Sequence, residues 1–199
     1  MADDDNFTTW YHQHLPCGVS VIEQHLKDNP EQNVNDRDKY NTTALMWASL
    51  IKDIDAVTWL LHHGANVNLV DNYKDTALMY AAGSNDGEKK LPTIQTLIQR
   101  GADVGMTNKN GETALMKASD DTTITWLLDN MTRSQLLHQL ETIRAFTGSN
   151  DYSRLTQLIN ERIAPEPTSD NTKEPGDAEV RGNVATSSLF FSSAILLLL

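Results

Sequence analysis

The chain has 199 residues and a formal net charge of -11, so it offers no basic surface to neutralise phosphates, and nucleic acid is not expected among its partners. Cys17 is the single cysteine, which rules out an intrachain disulfide, and Met1-Ala2-Asp3-Asp4-Asp5 has neither the basic nor the apolar region of a secretory signal. A cytoplasmic location is therefore expected for the ordered part.

In residues 5–37, Phe7, Trp10, Tyr11 and His14/Leu15 recur at helical spacing after an aspartate run able to cap a first turn. Val21, Ile22, His25 and Leu26 recur in the same way after Pro16-Cys17-Gly18. A helix pair is predicted. Asn33-Val34-Asn35 stands 33 residues ahead of an identical phrase, Asn66-Val67-Asn68. The segment thus reads as a degenerate first repeat, whose aromatics suit a terminal unit with one neighbour to cover it.

Three further units follow, at 38–70, 71–107 and 108–130. Each contains Thr-Ala-Leu-Met, at Thr43–Met46, Thr76–Met79 and Thr113–Met116, and the first two copies lie 33 residues apart. Asp38, Asp71 and Asn108 each precede the threonine by five residues. Helix one of the first unit is expected from about Thr43 to Lys52, after a turn with left-handed Asn41. Asp55 should open helix two, with Val57, Leu60 and Leu61 facing the core and Gly64 as a left-handed cap. The second unit is four residues longer than the first. The extra length is expected as a loop over Gly83–Lys90, with the helix restarting at Leu91-Pro92. In the third, Asp120-Asp121-Thr122 must turn the chain tightly. Trp59 and Trp126 share one repeat position and are expected to interlock in the core.

Residues 131–163 carry two amphipathic patterns, Leu136, Leu137, Leu140, Ile143 and Tyr152, Leu155, Leu158, Ile159, Ile163, which predict a closing pair of capping helices. Residues 164–183 turn polar and acidic and predict a disordered linker. The last sixteen, 184–199, contain no charge. They fall short of the roughly 20 residues of a spanning helix and admit three readings: a short tail anchor, a functionless end, or an export or docking signal.

The recurring Thr-Ala-Leu-Met, the leucine pairs of helix two and the closing Gly64-Ala65-Asn66-Val67-Asn68 and Gly101-Ala102-Asp103-Val104-Gly105 resemble the ankyrin repeat. The likeness is close over Asp38–Asn130 and implies an all-α ankyrin-repeat solenoid of stacked helix-turn-helix units with short hairpins, spanning 1–163 and followed by a disordered tail. In all three tetrapeptides Ala replaces the family's Pro and Met its His, so the family's Thr-to-His hydrogen bond cannot form. Met is expected to fill that site as an apolar plug, and Ala to start the helix equally well.

The residues offer little chemistry. His12 and His14 are two apart, on different faces of a helix. His62-His63 precedes Gly64 at a helix end, where imidazoles cap carbonyls. Cys17 lacks the partner and orienting group of a catalytic thiol. No phosphate-cradling glycine loop or zinc spacing occurs. No enzyme activity, cofactor or metal is expected. The resemblance permits hydroxylation of Asn35 and Asn68, which match the asparagine that cytosolic hydroxylases modify in animal repeats.

The resemblance also implies a partner-binding concave face of hairpin tips and helix one. Position by position that face is Lys39, Tyr40, Thr42, Leu50, Ile51 and Val70 in the first full unit, Asn72, Tyr73, Asp75 and Ser84 in the second, and Lys109, Asn110, Glu112, Asp120 and Asp121 in the third. The expected function is that of a monomeric, non-enzymatic adaptor for a protein partner. A tail-anchored or exported variant of the same module, and an enzyme, are the alternatives.

Overall fold

The computed structural model describes residues 6–84, 87–146 and 151–164. Among them are ten helices: α1 (Phe7–Gln13), α2 (Val19–Asp28), α3 (Ala44–Ile51), α4 (Ile54–His62), α5 (Ala77–Gly83), α6 (Gly87–Gln99), α7 (Ala114–Lys117), α8 (Asp121–Asp129), α9 (Arg133–Ala145) and α10 (Ser153–Ile163). The described residues hold no strand beyond an isolated antiparallel bridge between Val70 and Thr76, and the fold is all-α. They belong to a unit that runs to Ala164. The expected linker and apolar tail, at 165–199, lie outside the described residues.

The tetrapeptides set the helix starts. Thr43, Thr76 and Thr113 are N-caps whose hydroxyls accept from the backbone N–H of Met46, Met79 and Met116 at 3.4, 3.2 and 3.4 Å, supplying one of the orphan donors of each helix start. The Ala, Leu and Met that follow are buried in all three copies, and the Met side chains are 1%, 1% and 7% exposed. Met thus occupies the interior position where the family has His. The small alanines let α3, α5 and α7 stack directly on one another, with α4 against α6 behind them. Each fully buried Leu contributes roughly 1.5–3 kcal/mol.

Left-handed residues punctuate the units. Gly64 and Gly101 end the second helices at φ 86°, and Asn41, Lys74 and Gly111 hold equivalent hairpin positions at φ 61°, 61° and 80°. Glycine relieves that conformation; Lys74 adopts it without that relief.

Several elements differ from the sequence-based expectation. Asn6 caps α1, accepting from the Thr9 N–H at 3.0 Å, while the aspartates before it lie outside the described residues. Val21 is 48% exposed, and Ile22 is the residue of α2 that is buried. Helix α4 starts at Ile54 because Asp53 supplies the cap, accepting from Ala56 N–H at 3.1 Å. The second unit's insertion is helical from Gly87, so Pro92 falls inside α6. There Pro92 gives up the bond to the carbonyl four residues before it, and its ring crowds that carbonyl. The added turn is pinned by Lys90, 1% exposed, whose ammonium meets Asp120 at 2.8 Å. Trp59 and Trp126 are half-buried rather than interlocked, since Thr96 of α6 holds the repeat position between them. The Trp59 indole N–H donates to Glu23 at 3.0 Å, and its ring stacks on His63 at 3.7 Å.

The closing helices are tied into the stack. Gln139 of α9 is fully buried, accepts from the Thr113 hydroxyl at 2.7 Å and donates to the Val104 carbonyl at 2.9 Å. Arg154 and Arg162 of α10 reach Asp121 and Asp129 at the two ends of α8, each at 2.8 Å.

Candidate interaction surface

The hairpins between units are built by one side chain each. The Asp38 carboxylate accepts from the N–H of Tyr40 and Thr42 at 2.8 and 2.9 Å, and Asp71 accepts from Tyr73 and Asp75 at 2.8 Å each. Asn108 repeats the pattern with Asn110 and Glu112 at 2.9 and 3.0 Å. These are Asx turns, in which a short polar side chain stands in for a backbone acceptor. Successive hairpins are then rung together: Asn72 N–H donates to the Tyr40 carbonyl at 2.9 Å, and Lys109 N–H to the Tyr73 carbonyl at 2.8 Å.

A polar layer braces the turns from behind. Trp47 and Tyr80, nine residues after Asp38 and Asp71, donate to their carboxylates at 3.4 and 2.8 Å. Lys117, at the same place in the third unit, meets Asp75 at 2.9 Å. Burial, followed by the hydrogen bond to Asp71, pushes the Tyr80 phenol pKa well above its ordinary value.

What projects from this braced frame is a small set. Tyr40 and Tyr73 are 53% and 66% exposed, and the Lys39 ammonium lies over the Tyr40 ring at 5.1 Å. Lys109 and Asn110 are also exposed at the third tip. Asn72 is exposed but accepts from Asn41 Nδ2 at 2.6 Å. Val70, Asp75, Ser84, Glu112 and Leu50 are half-buried. The Val70 carbonyl is taken by Arg37 at 2.9 Å and Ser84 donates to its own helix at 2.9 Å, while Glu112 accepts from Asn108 at 3.2 Å. Asp120 caps α8, accepting from Thr123 N–H at 2.8 Å, and Asp121 is paired with Arg154. Thr42 is corrected: at 3% exposure its side chain cannot meet a partner, because the turn closed by Asp38 folds it inward. Ile51 is exposed but ends α3, roughly 12 Å along the helix from its threonine cap, away from the tips.

The sequence reading missed a second set of inter-unit bonds. Asn35 donates to the Gly64 carbonyl at 3.0 Å and accepts from Asn66 N–H at 2.7 Å. Asn68 does the same with Gly101 and Asp103, at 3.1 and 2.9 Å. The signal was the recurrence of the phrase ending in these asparagines. Gly105 holds the same place in the second full unit, where a Cβ would lie 3.2 Å from the His138 ring.

Cys17 is 9% exposed, and burial, then the Asp53 carboxylate, raise its thiol pKa, which disfavours the thiolate. The histidines serve packing: His12 stacks on Trp47 at 3.8 Å, Trp10 lies between His14 and His25 at 4.8 and 3.7 Å, and His62 contacts Arg100. Among the described residues no group of three His, Cys, Asp or Glu is placed to hold a metal ion, and no helix is long and apolar enough to cross a membrane.

Residues 13–104 match the family model for ankyrin repeats in three copies. Among solved structures, the ankyrin repeat domain of Bcl-3, described as a unique member of the IkappaB protein family, is similar at 31% identity, over 53% of this chain and 45% of that one, with a TM-score of 0.47. The chain thus spans less than half the length of that structure. No curated protein is similar enough to match. The family match over residues 13–104 coincides with stacked helix pairs that start at recurring Thr-Ala-Leu-Met, and this part of the chain consists of ankyrin repeats.

Proposed function

We propose that this protein is a non-enzymatic adaptor that binds a protein partner across its hairpin tips and the adjoining side of helix one, with Tyr40 and Tyr73 as the anchors. Ankyrin repeats are in general protein–protein interaction modules, which makes a protein partner the coarse expectation. One observation carries the finer reading: two tyrosines at equivalent tips are more than half exposed while their backbones are held by Asx turns and by rungs between units. Rigid aromatic side chains on an ordered frame lose little entropy on binding and are enriched among hot spots.

The test is quantitative capture of partners from cell extract by the full chain and by its Tyr40→Ala/Tyr73→Ala variant, with the dominant captured protein then titrated against both. Each truncation at an interface centre is expected to cost on the order of 2 kcal/mol, so the double variant loses well over tenfold in affinity. Its melting temperature should stay close to that of the parent, as for ordinary surface changes. Leu45→Ala is the control: it empties a buried site and costs roughly 2–5 kcal/mol of folding. A double variant that binds at parental strength moves the interface off this face.

A further inference from the structure

At the far end of α3 from the hairpins, the chain turns between helices beside a groove of about 590 Å³. Its apolar wall comprises Leu15 from the α1–α2 connection, Ile51 and Ile54 on either side of the α3–α4 turn, and Pro92 of α6. Ile51 is 38% exposed there, one of five large apolar side chains at the surface of the described residues. Asp53 and Asp55 line this groove and also a neighbouring one of about 710 Å³ that follows α4 to Trp59.

The accessible charge lining the first groove is negative. Lys52 borders the first groove but is only 6% exposed, so the accessible charged groups there are the two carboxylates. In the second groove His62 is engaged by Arg100. Burial, then the Asp53 carboxylate and Cys17, push the phenol pKa of fully buried Tyr11 well up, and among the described residues its hydroxyl has no hydrogen-bond partner.

We propose that this groove is a second docking surface, independent of the tyrosine tips, for a partner segment that sets a bulky aliphatic side chain beside a lysine or arginine. The aliphatic wall takes the first and the Asp53 and Asp55 carboxylates take the second. A neutral or acidic segment would desolvate both carboxylates without replacing their water, which discriminates against it. The chain's net charge of -11 steers basic segments toward the surface.

The probe is acetyl-Leu-Arg-Leu-Arg-amide, titrated into the isotope-labelled full chain and followed at the backbone amides of residues 51–55, with acetyl-Leu-Glu-Leu-Glu-amide and acetyl-Ala-Arg-Ala-Arg-amide as comparisons. Saturable shifts at those amides are expected from the first peptide, with binding at least several-fold weaker for the other two. Asp55→Lys should weaken it by roughly tenfold, combining a lost pair with a new repulsion, and Ile51→Ser, at an exposed site, should weaken it through the apolar wall. Tyr40→Ala/Tyr73→Ala should leave it unchanged, so this surface and the hairpin face stand or fall separately. No saturable shift at residues 51–55, equal binding of the glutamate or alanine peptide, or indifference of the well-folded Ile51→Ser variant would each overturn the proposal.

Discussion

Gln139→Ala tests whether the closing helices are an integral part of the stack. The amide is fully buried and makes two hydrogen bonds into the third unit, from Thr113 and to Val104. Truncation leaves the Thr113 hydroxyl without its acceptor and the Val104 carbonyl without its donor, and each orphaned buried group costs about 1–3 kcal/mol. The expected loss is therefore roughly 2–6 kcal/mol. At the middle of that range the melting temperature falls by roughly 8–16 °C for a domain of this size. Urea unfolding followed by circular dichroism, with fluorescence of Trp126 on the adjacent α8 as a second probe in a background where Trp10, Trp47 and Trp59 are replaced by Phe, measures both the loss and its location. The two probes should shift together, because repeat units are coupled through nearest-neighbour interfaces. Gln139→Glu sharpens the test: it keeps the acceptor for Thr113 but faces Val104 with a carboxylate, so its deficit should shrink as acid protonates it. A loss under about 1 kcal/mol for Gln139→Ala would mean that α9 docks by its apolar face alone and that its buried amide contributes nothing net.

Lys74→Gly places a residue suited to positive φ where Asn41 and Gly111 already stand in the neighbouring units. Relief of about 1–2 kcal/mol of left-handed strain, offset by the greater freedom glycine gives the unfolded chain, should raise stability by roughly 0.5 kcal/mol, read from the urea midpoint; a lower midpoint would show that Lys74 is held there by something its φ does not reveal. Asp120 is predicted to shape the acid limb of stability. Desolvation raises its pKa, but hydrogen bonds from Lys90 and Thr123 outweigh it and hold the carboxyl below its ordinary range. A depressed folded-state pKa contributes stability that is present above the unfolded value and lost as pH falls through the folded one, so Asp120→Asn should be penalised at neutral pH and less so at low pH. Parallel stability curves for parent and variant down to the acid limit would exclude that role.

The repeating positions were legible because a solenoid presents the same physical problem several times. Asp38, Asp71 and Asn108 needed the same Asx turn, and Gly64 the same left-handed end, so recurrence alone identified them. What escaped were features set by neighbours distant in sequence. Pro92 reads locally as a helix start, yet the helix begins five residues earlier because Lys90 finds Asp120 thirty positions on. Thr42 reads as a tip residue, but the turn closed by its neighbour Asp38 buries it. Of the candidate face, the exposure of Tyr40 and Tyr73 followed from their turns, whereas the engagement of Asn72 by Asn41 and of Asp121 by Arg154 depended on pairings that no local pattern announces.

The asparagine pairings give the stack a direction and an end. Asn35 and Asn68 each reach forward to two backbone groups of the following unit, so the degenerate repeat and the first full unit each recruit their successor through one side chain. Gly105 has no side chain with which to continue, and His138 of α9 fills the space instead. The asparagine relay between successive units therefore ends at a single codon. A duplication of residues 71–107 inserted after Thr107 would inherit Gly105 at the new joint, and restoring Asn there in the upstream copy would carry the side-chain relay across it.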